Sequence, residues 1–258
     1  MDLNLKDRLF IVTGASSGFG EAIMRRLIAE GALVIAIARR IELLEKLAAE
    51  LGPNCEILSA DVTTPDFANT LFSRLNNRIP DGILINAGGP PAGGFVDTDR
   101  ALWIRSFNDI FLWKLEILKM LLPLFKQRIY GRILLIESVS VKQPVEGLIL
   151  SNSLRLAVVG MVRSIADETA ADGITINILA PGYHETNAMQ RLYKRRAAIS
   201  NISEEEAKDM FIIETGMKKM GNPVDLANLA AWMLSESSAF VTGQVISIAG
   251  NQVKGIFG

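Results

Sequence analysis

The chain has 258 residues, 49% of them apolar and 21% charged, with a formal net charge of −1. These values suit one globular domain with a large core, and they exclude a basic field that would recruit nucleic acid or an anionic membrane. The single cysteine, Cys55, has no partner for an internal disulfide, and no Cys/His cluster has metal-site spacing, so a reducing cytoplasm is expected.

The opening segment, MDLNLKDRLFIVTG, is acidic and reaches a glycine turn too early for a signal peptide. No apolar run approaches the roughly 20 residues of a membrane span, so no membrane association is expected. LFIVT begins a series of short apolar runs and is followed by FGEAIMRRLIAEG, apolar at helical spacing. LVIAIA precedes IELLEKLAAEL in the same way. CEILS, GILINAG, RILLIES, TINILAP and VISIAG complete the strand candidates. Unbroken apolar runs of five or six residues suit parallel strands buried on both faces. The alternation therefore predicts a single-domain α/β fold over residues 1–258, with a Rossmann-like, doubly wound parallel sheet of about seven strands. Ligands in such sheets bind beyond the carboxyl ends of the strands.

The first loop in that position is TGASSGFG, between a strand and a helix. Gly14 permits a tight turn, Gly18 lets a pyrophosphate reach the backbone, and Gly20 allows close helix–strand packing. Ser16 and Ser17 add hydroxyl donors beside Phe19, and the helix N-terminus offers free N–H groups to phosphate. The second strand ends LVIAIARR. An NAD site commonly has an acid here, but Ala38 occupies the position and Arg39 and Arg40 follow. An arginine fork suits a 2′-phosphate, so NADP is expected rather than NAD.

Together these motifs resemble the short-chain dehydrogenase/reductase family over nearly the whole chain. Asp61-Val62 resembles its adenine-contacting pair, and Asn86-Ala87-Gly88 the segment supporting the sheet near the cofactor. Pro181-Gly182 through Thr186, with His184, resembles the loop along the nicotinamide amide and phosphates. The resemblance implies a relay of Asn, Ser, Tyr and Lys. Asn108 and Ser138 fall at the first two positions; the last two fall on Ser151 and Arg155. The tyrosines are Tyr130, Tyr183 and Tyr193, and none has lysine four residues on, so no shift of register restores the pair. Gly160 and Asn177 match the family and support the register. The chain also resembles a divergent branch of the family, similar to 3-oxoacyl-carrier-protein reductases, that has a similar GGPP loop and SN…R segment.

A serine hydroxyl is a far weaker acid than a phenol, and arginine stays protonated, so cofactor binding is expected to survive better than proton transfer. Arg155 is expected to bond ribose hydroxyls. Tyr183 and His184 are candidate replacement acids, each also readable as a passive lining residue. The amphipathic stretch 189–220 is expected to form a lid over a small-molecule substrate. Its Arg191, Lys194, Arg195 and Arg196 read either as an anion site or as a solvated face. The run LILSNSLRLAVVGMV is apolar on several sides, which suits a buried or shared helix. The family resemblance implies that it and the helix around 112–124 pack into a two-fold interface, so a homodimer or homotetramer is expected. The expectation is thus an NADP-dependent oxidoreductase with an atypical proton path, the alternative being a dinucleotide-binding protein without turnover.

Overall fold

The apolar runs become seven strands of one parallel sheet in a computed structural model that describes residues 1–256. The strands are β1 (Leu9–Thr13), β2 (Leu33–Ala38), β3 (Cys55–Ser59), β4 (Gly82–Ile85), β5 (Gly131–Ile136), β6 (Ile174–Pro181) and β7 (Val245–Ile248). Their order is β3-β2-β1-β4-β5-β6-β7, so the winding reverses between β1 and β4. That switch point opens a crevice at the carboxyl ends of the strands, where ligands of doubly wound sheets bind. Central strands are buried along their whole length, as their unbroken apolar runs require. β3 and β7, at the two edges, are only partly buried.

Successive side chains of a strand point to opposite faces. Phe10 and Val12 therefore enter a core with α1 (Gly18–Ala29), α2 (Ile41–Leu51) and α9 (Pro223–Met233). Leu9 and Ile11 enter a second core with α3 (Phe67–Leu75), α5 (Trp113–Arg128) and α6 (Ile149–Thr169). α4 (Arg100–Phe107) runs into α5 through a π-helical turn, Asn108–Leu112. Such turns insert one residue into the ladder and are frequent at functional sites.

α6 departs from the sequence expectation. With its following turn it spans Ile149–Asp172, and its most apolar stretch has a mean hydropathy of 1.3, long and apolar enough to cross a membrane by length and composition. In the fold its Leu150, Leu154, Val158 and Val162 pack into the second core, which accounts for much of that apolar character. The stretch expected as a lid contains α7 (Asn187–Ser200) and α8 (Glu204–Glu214). They share a small core of Met189, Tyr193, Phe211 and Met220. α8 starts with a reciprocal cap between Ser203 and Glu206, which satisfies two amides that would otherwise lack partners.

Candidate active site

The glycine turn after β1 is fastened to the loop after β4. Thr13 Oγ1 donates to the Asn86 carbonyl and accepts from the Asn86 amide, both at 2.8 Å. Gly14 is left-handed (φ 63°), and a Cβ there would lie 2.7 Å from Asn86. A Cβ on Gly20 would lie 2.2 Å from the Gly14 carbonyl oxygen. The turn thus tolerates side chains at neither position. Ser17, the residue before α1, does not cap the helix with its side chain. Its hydroxyl and that of Ser16 instead accept from Arg40 Nη2, at 3.0 and 3.1 Å. The first-turn amides of α1 are therefore free of side-chain caps, beside a guanidinium.

Arg39 turns the other way, its Nη1 3.6 Å from Asp61 Oδ2. Partial burial raises the Asp61 carboxyl, but hydrogen bonds from Thr63 and the charge of Arg39 outweigh it and hold the group below its ordinary value. Val62 follows and packs against the second core.

The loop after β6 folds back onto the same turn. The Gly182 amide donates to the Ile248 carbonyl at 3.0 Å, and Tyr183, His184 and Glu185 form a bridge with Gly221. The His184 ring meets Phe19 edge to face, with centroids 5.2 Å apart, and Nδ1 lies 3.1 Å from the Gly182 carbonyl. Burial lowers the His184 pKa, which favours the neutral ring. Thr186 lies near Gly18: a Cβ on Gly18 would meet its side chain at 3.8 Å. His184 and Thr186 thus lie against Phe19 and Gly18 of the glycine turn, while Gly182 packs against Ala249 and Gln252.

β5 delivers the remaining candidates. Ser138 follows Glu137 directly beyond the strand, and Ser138 Oγ accepts from the Ser140 amide at 3.2 Å. Ser140 Oγ lies 3.4 Å from Ser151 Oγ, and Arg155 Nε donates to Ser151 Oγ at 3.0 Å. Arg155 and the hydroxyls of Ser151 and Ser140 are therefore linked in series, and the Ser140 backbone amide ties Ser138 to them. Ser151 and Arg155 are both 7% exposed. The family resemblance implies a ribose partner for Arg155; within the fold its ion-pair partner is a buried carboxylate. Nη1 donates to Glu137 Oε2 at 2.6 Å, and Nη2 lies against Gly89, close to Ala87-Gly88. The other Glu137 oxygen accepts from Lys114 Nζ at 2.5 Å. Burial pulls the Lys114 ammonium below the ordinary lysine value, while the charge of Glu137 opposes this.

Glu137, Lys114 and Ser140 are absent from the sequence-based candidates. The available signals are an acid closing an apolar strand (RILLIES) and a lysine within an apolar helix (WKLEIL). Asn108 stands at the first position of the π-helical turn and is exposed. Tyr183 lines a cleft with Gln143, Glu146, Arg196, Glu214 and Gln252. Its hydroxyl donates to Glu214 Oε2 at 2.8 Å. Burial, together with that carboxylate, holds its pKa well above the usual tyrosine value, which makes it a weaker acid. Among the described residues no three His, Cys, Asp or Glu side chains gather as a metal site.

The profile of the family described as Enoyl-(Acyl carrier protein) reductase matches residues 14–250. Nodulation protein G of Rhizobium sp. (strain N33) is 31% identical over 95% of this chain and 97% of its own. The chain belongs to the short-chain dehydrogenase/reductase family. Among solved members of this fold, a single-substitution variant of actinorhodin polyketide ketoreductase with NADPH is 28% identical, has a TM-score of 0.91, and aligns over 96% of this chain and 98% of its own. YwfH, an NADPH-dependent reductase of bacilysin biosynthesis, shares the fold at a TM-score of 0.93 and 22% identity, over 97% of this chain and 100% of its own. Short-chain dehydrogenase/reductase membership accounts for the coincidence of glycine turn, Asn86 segment and Ser138 at one crevice.

Proposed function

We propose that this chain is an NADP(H)-dependent reductase or dehydrogenase acting on a small carbonyl or alcohol substrate, with Ser151 and Arg155 in place of the tyrosine and lysine of its family. The observation that carries this reading is the group formed by Ser138, Ser140, Ser151 and Arg155 at the carboxyl end of β5, joined through Gly89 to the loop that fastens the glycine turn. A bound nicotinamide would supply or take the hydride. Gly18 leaves room for the dinucleotide pyrophosphate, Gly14 and Gly20 let the turn close against Asn86 and itself, and the uncapped amides of α1 are available to its charge. Arg40, with Ser16 and Ser17, is suited to a 2′-phosphate, and Ala38 places no carboxylate there to repel it. Ser138 orients the substrate oxygen. Neither remaining tyrosine supplies the missing phenol: Tyr130 lies before β5, among Arg8, Arg128 and Arg132, and Tyr193 is buried within the lid core.

The binding experiment compares NADPH with NADH by fluorescence titration. Tighter NADPH binding is expected. Arg40→Asp is expected to weaken NADPH about tenfold or more while leaving NADH unchanged, because a charge-assisted pair to phosphate is lost. An equal loss for both dinucleotides would place the 2′-phosphate elsewhere.

The assembly reading is a homodimer or homotetramer. It is supported by apolar side chains exposed along α4 and α6: Ile104 is 52% exposed, Phe107 39% and Leu156 51%. Phe107 and Phe111 stack with centroids 5.1 Å apart on the same side of the fold. A reducing cytoplasm is the proposed compartment, consistent with the buried free thiol of Cys55.

A further inference from the structure

Behind the hydroxyls lies a buried set of charges of which the reading above uses only Arg155. Lys114 on α5, Glu137 after β5 and Arg155 on α6 are 2%, 4% and 7% exposed. Glu137 bridges the two cations, 2.5 Å from Lys114 Nζ and 2.6 Å from Arg155 Nη1. Among the described residues no second carboxylate pairs with either cation. With Lys114 protonated, as its contact with Glu137 favours, one carboxylate between two cations leaves one positive charge in excess. A buried charge without a counter-ion is costly, and an anion beside it removes that cost. The excess has a route to the crevice. Arg155 Nε meets Ser151 Oγ, which neighbours Ser140 and, through it, Ser138. Gly89 lets the guanidinium come close to the opposite wall, since a Cβ there would stand 3.3 Å from Nη2.

We propose that Lys114, Glu137 and Arg155 form an oxyanion-holding wall, in which Glu137 positions Arg155 and the excess charge stabilises an alkoxide held by the serine hydroxyls. This rests on the reductase reading. A bound reduced nicotinamide would supply the hydride to the carbonyl carbon and be oxidised in turn, and the C=O π pair would go to the oxygen held by this wall. The alkoxide then takes a proton from water, leaving hydroxide to the buffer. No protein group has to give up a proton, so the absence of a phenol and the permanence of the arginine charge fit one scheme. Lys114 is a positioning residue here. It lies behind Glu137, and it reaches the crevice only through its charge.

The test uses acetate, a carboxylate mimic of the alkoxide, titrated into the NADP⁺-saturated protein; if NADP⁺ does not bind, the protein alone is titrated. Acetate is expected to bind the wild type. Lys114→Met is expected to weaken acetate about tenfold or more without changing NADP⁺ affinity, and Lys114→Arg to restore it. Should Lys114→Met fail to fold, Lys114→Gln removes the same charge. With any carbonyl that the wild type reduces, Lys114→Met is expected to lower kcat by a similar factor and leave KM unchanged, the mark of an interaction made only in the transition state. No acetate binding to the wild type, or equal binding by the charge-removing variant, overturns the wall. Acetate binding as expected in a protein that reduces no carbonyl leaves the anion site standing and sinks the reductase reading alone.

Discussion

Glu137→Ala is expected to destabilise the protein by about 3–5 kcal/mol, because it strands two buried cations without their carboxylate. Glu137 has no exposed side-chain surface, and its partners retain only 3% and 9% of theirs. For a chain of this size the loss corresponds to a fall in Tm of about 10 °C or more. The cause separates this substitution from an ordinary cavity. Replacing all three groups together, as Lys114→Met, Glu137→Leu and Arg155→Met, removes the charges with their partner and is expected to recover most of the lost Tm. Catalysis is not expected to recover with it. Thermal melts of the single and triple variants check both points. A Glu137→Ala protein that melts with the wild type would mean that the two cations are solvated, not buried.

Gly20→Ala is expected to abolish dinucleotide binding. The added methyl would stand 2.2 Å from the Gly14 carbonyl oxygen and 2.7 Å from its carbon, both backbone atoms that no rotamer change can move aside. The turn must open, which pulls Gly14 away from Asn86 and displaces the amides of α1 that would face the pyrophosphate. Overpacking of this kind costs about 1–3 kcal/mol in stability. The larger effect is on affinity, expected to fall about a hundredfold or more. Calorimetric titration with NADPH reads it directly. Unchanged NADPH affinity in a folded Gly20→Ala protein would show that the nucleotide does not use this turn.

Much of the fold is legible in the sequence because its signals are local. LFIVT, LVIAIA and CEILS are too short and too continuously apolar for amphipathic helices, and each forms a strand. IELLEKLAAEL has helical spacing and forms α2 without loss at either end. The glycine turn is legible for the same reason, since conformational freedom is written in residue type. The site behind Ser138 is different. Glu137, Lys114 and Arg155 lie on three separate elements, and only packing β5 between α5 and α6 brings them together. The family resemblance gives Arg155 a ribose partner, and nothing in its spacing reveals the buried carboxylate 18 positions earlier in the chain that pairs with its Nη1. Tyr183 shows the same limit. Its place after Pro181-Gly182 suggests a proton donor, but Glu214, 31 positions later, holds its hydroxyl. α6 reads as apolar on several sides because one side serves the core while Leu156 remains exposed on another.

Hydride transfer to a carbonyl carbon whose oxygen is held at Ser138, without a phenol donor, is open to direct measurement. Nicotinamide absorbance is followed while the wild type and Ser138→Ala, each saturated with NADPH, are offered a panel of small ketones, keto sugars and acyl thioesters. Carbonyl-dependent NADPH oxidation by the wild type is predicted on at least one class, with a loss of about a hundredfold or more in Ser138→Ala and NADPH affinity retained. Tight NADPH binding with no oxidation on any carbonyl, or oxidation undiminished by Ser138→Ala, would contradict it.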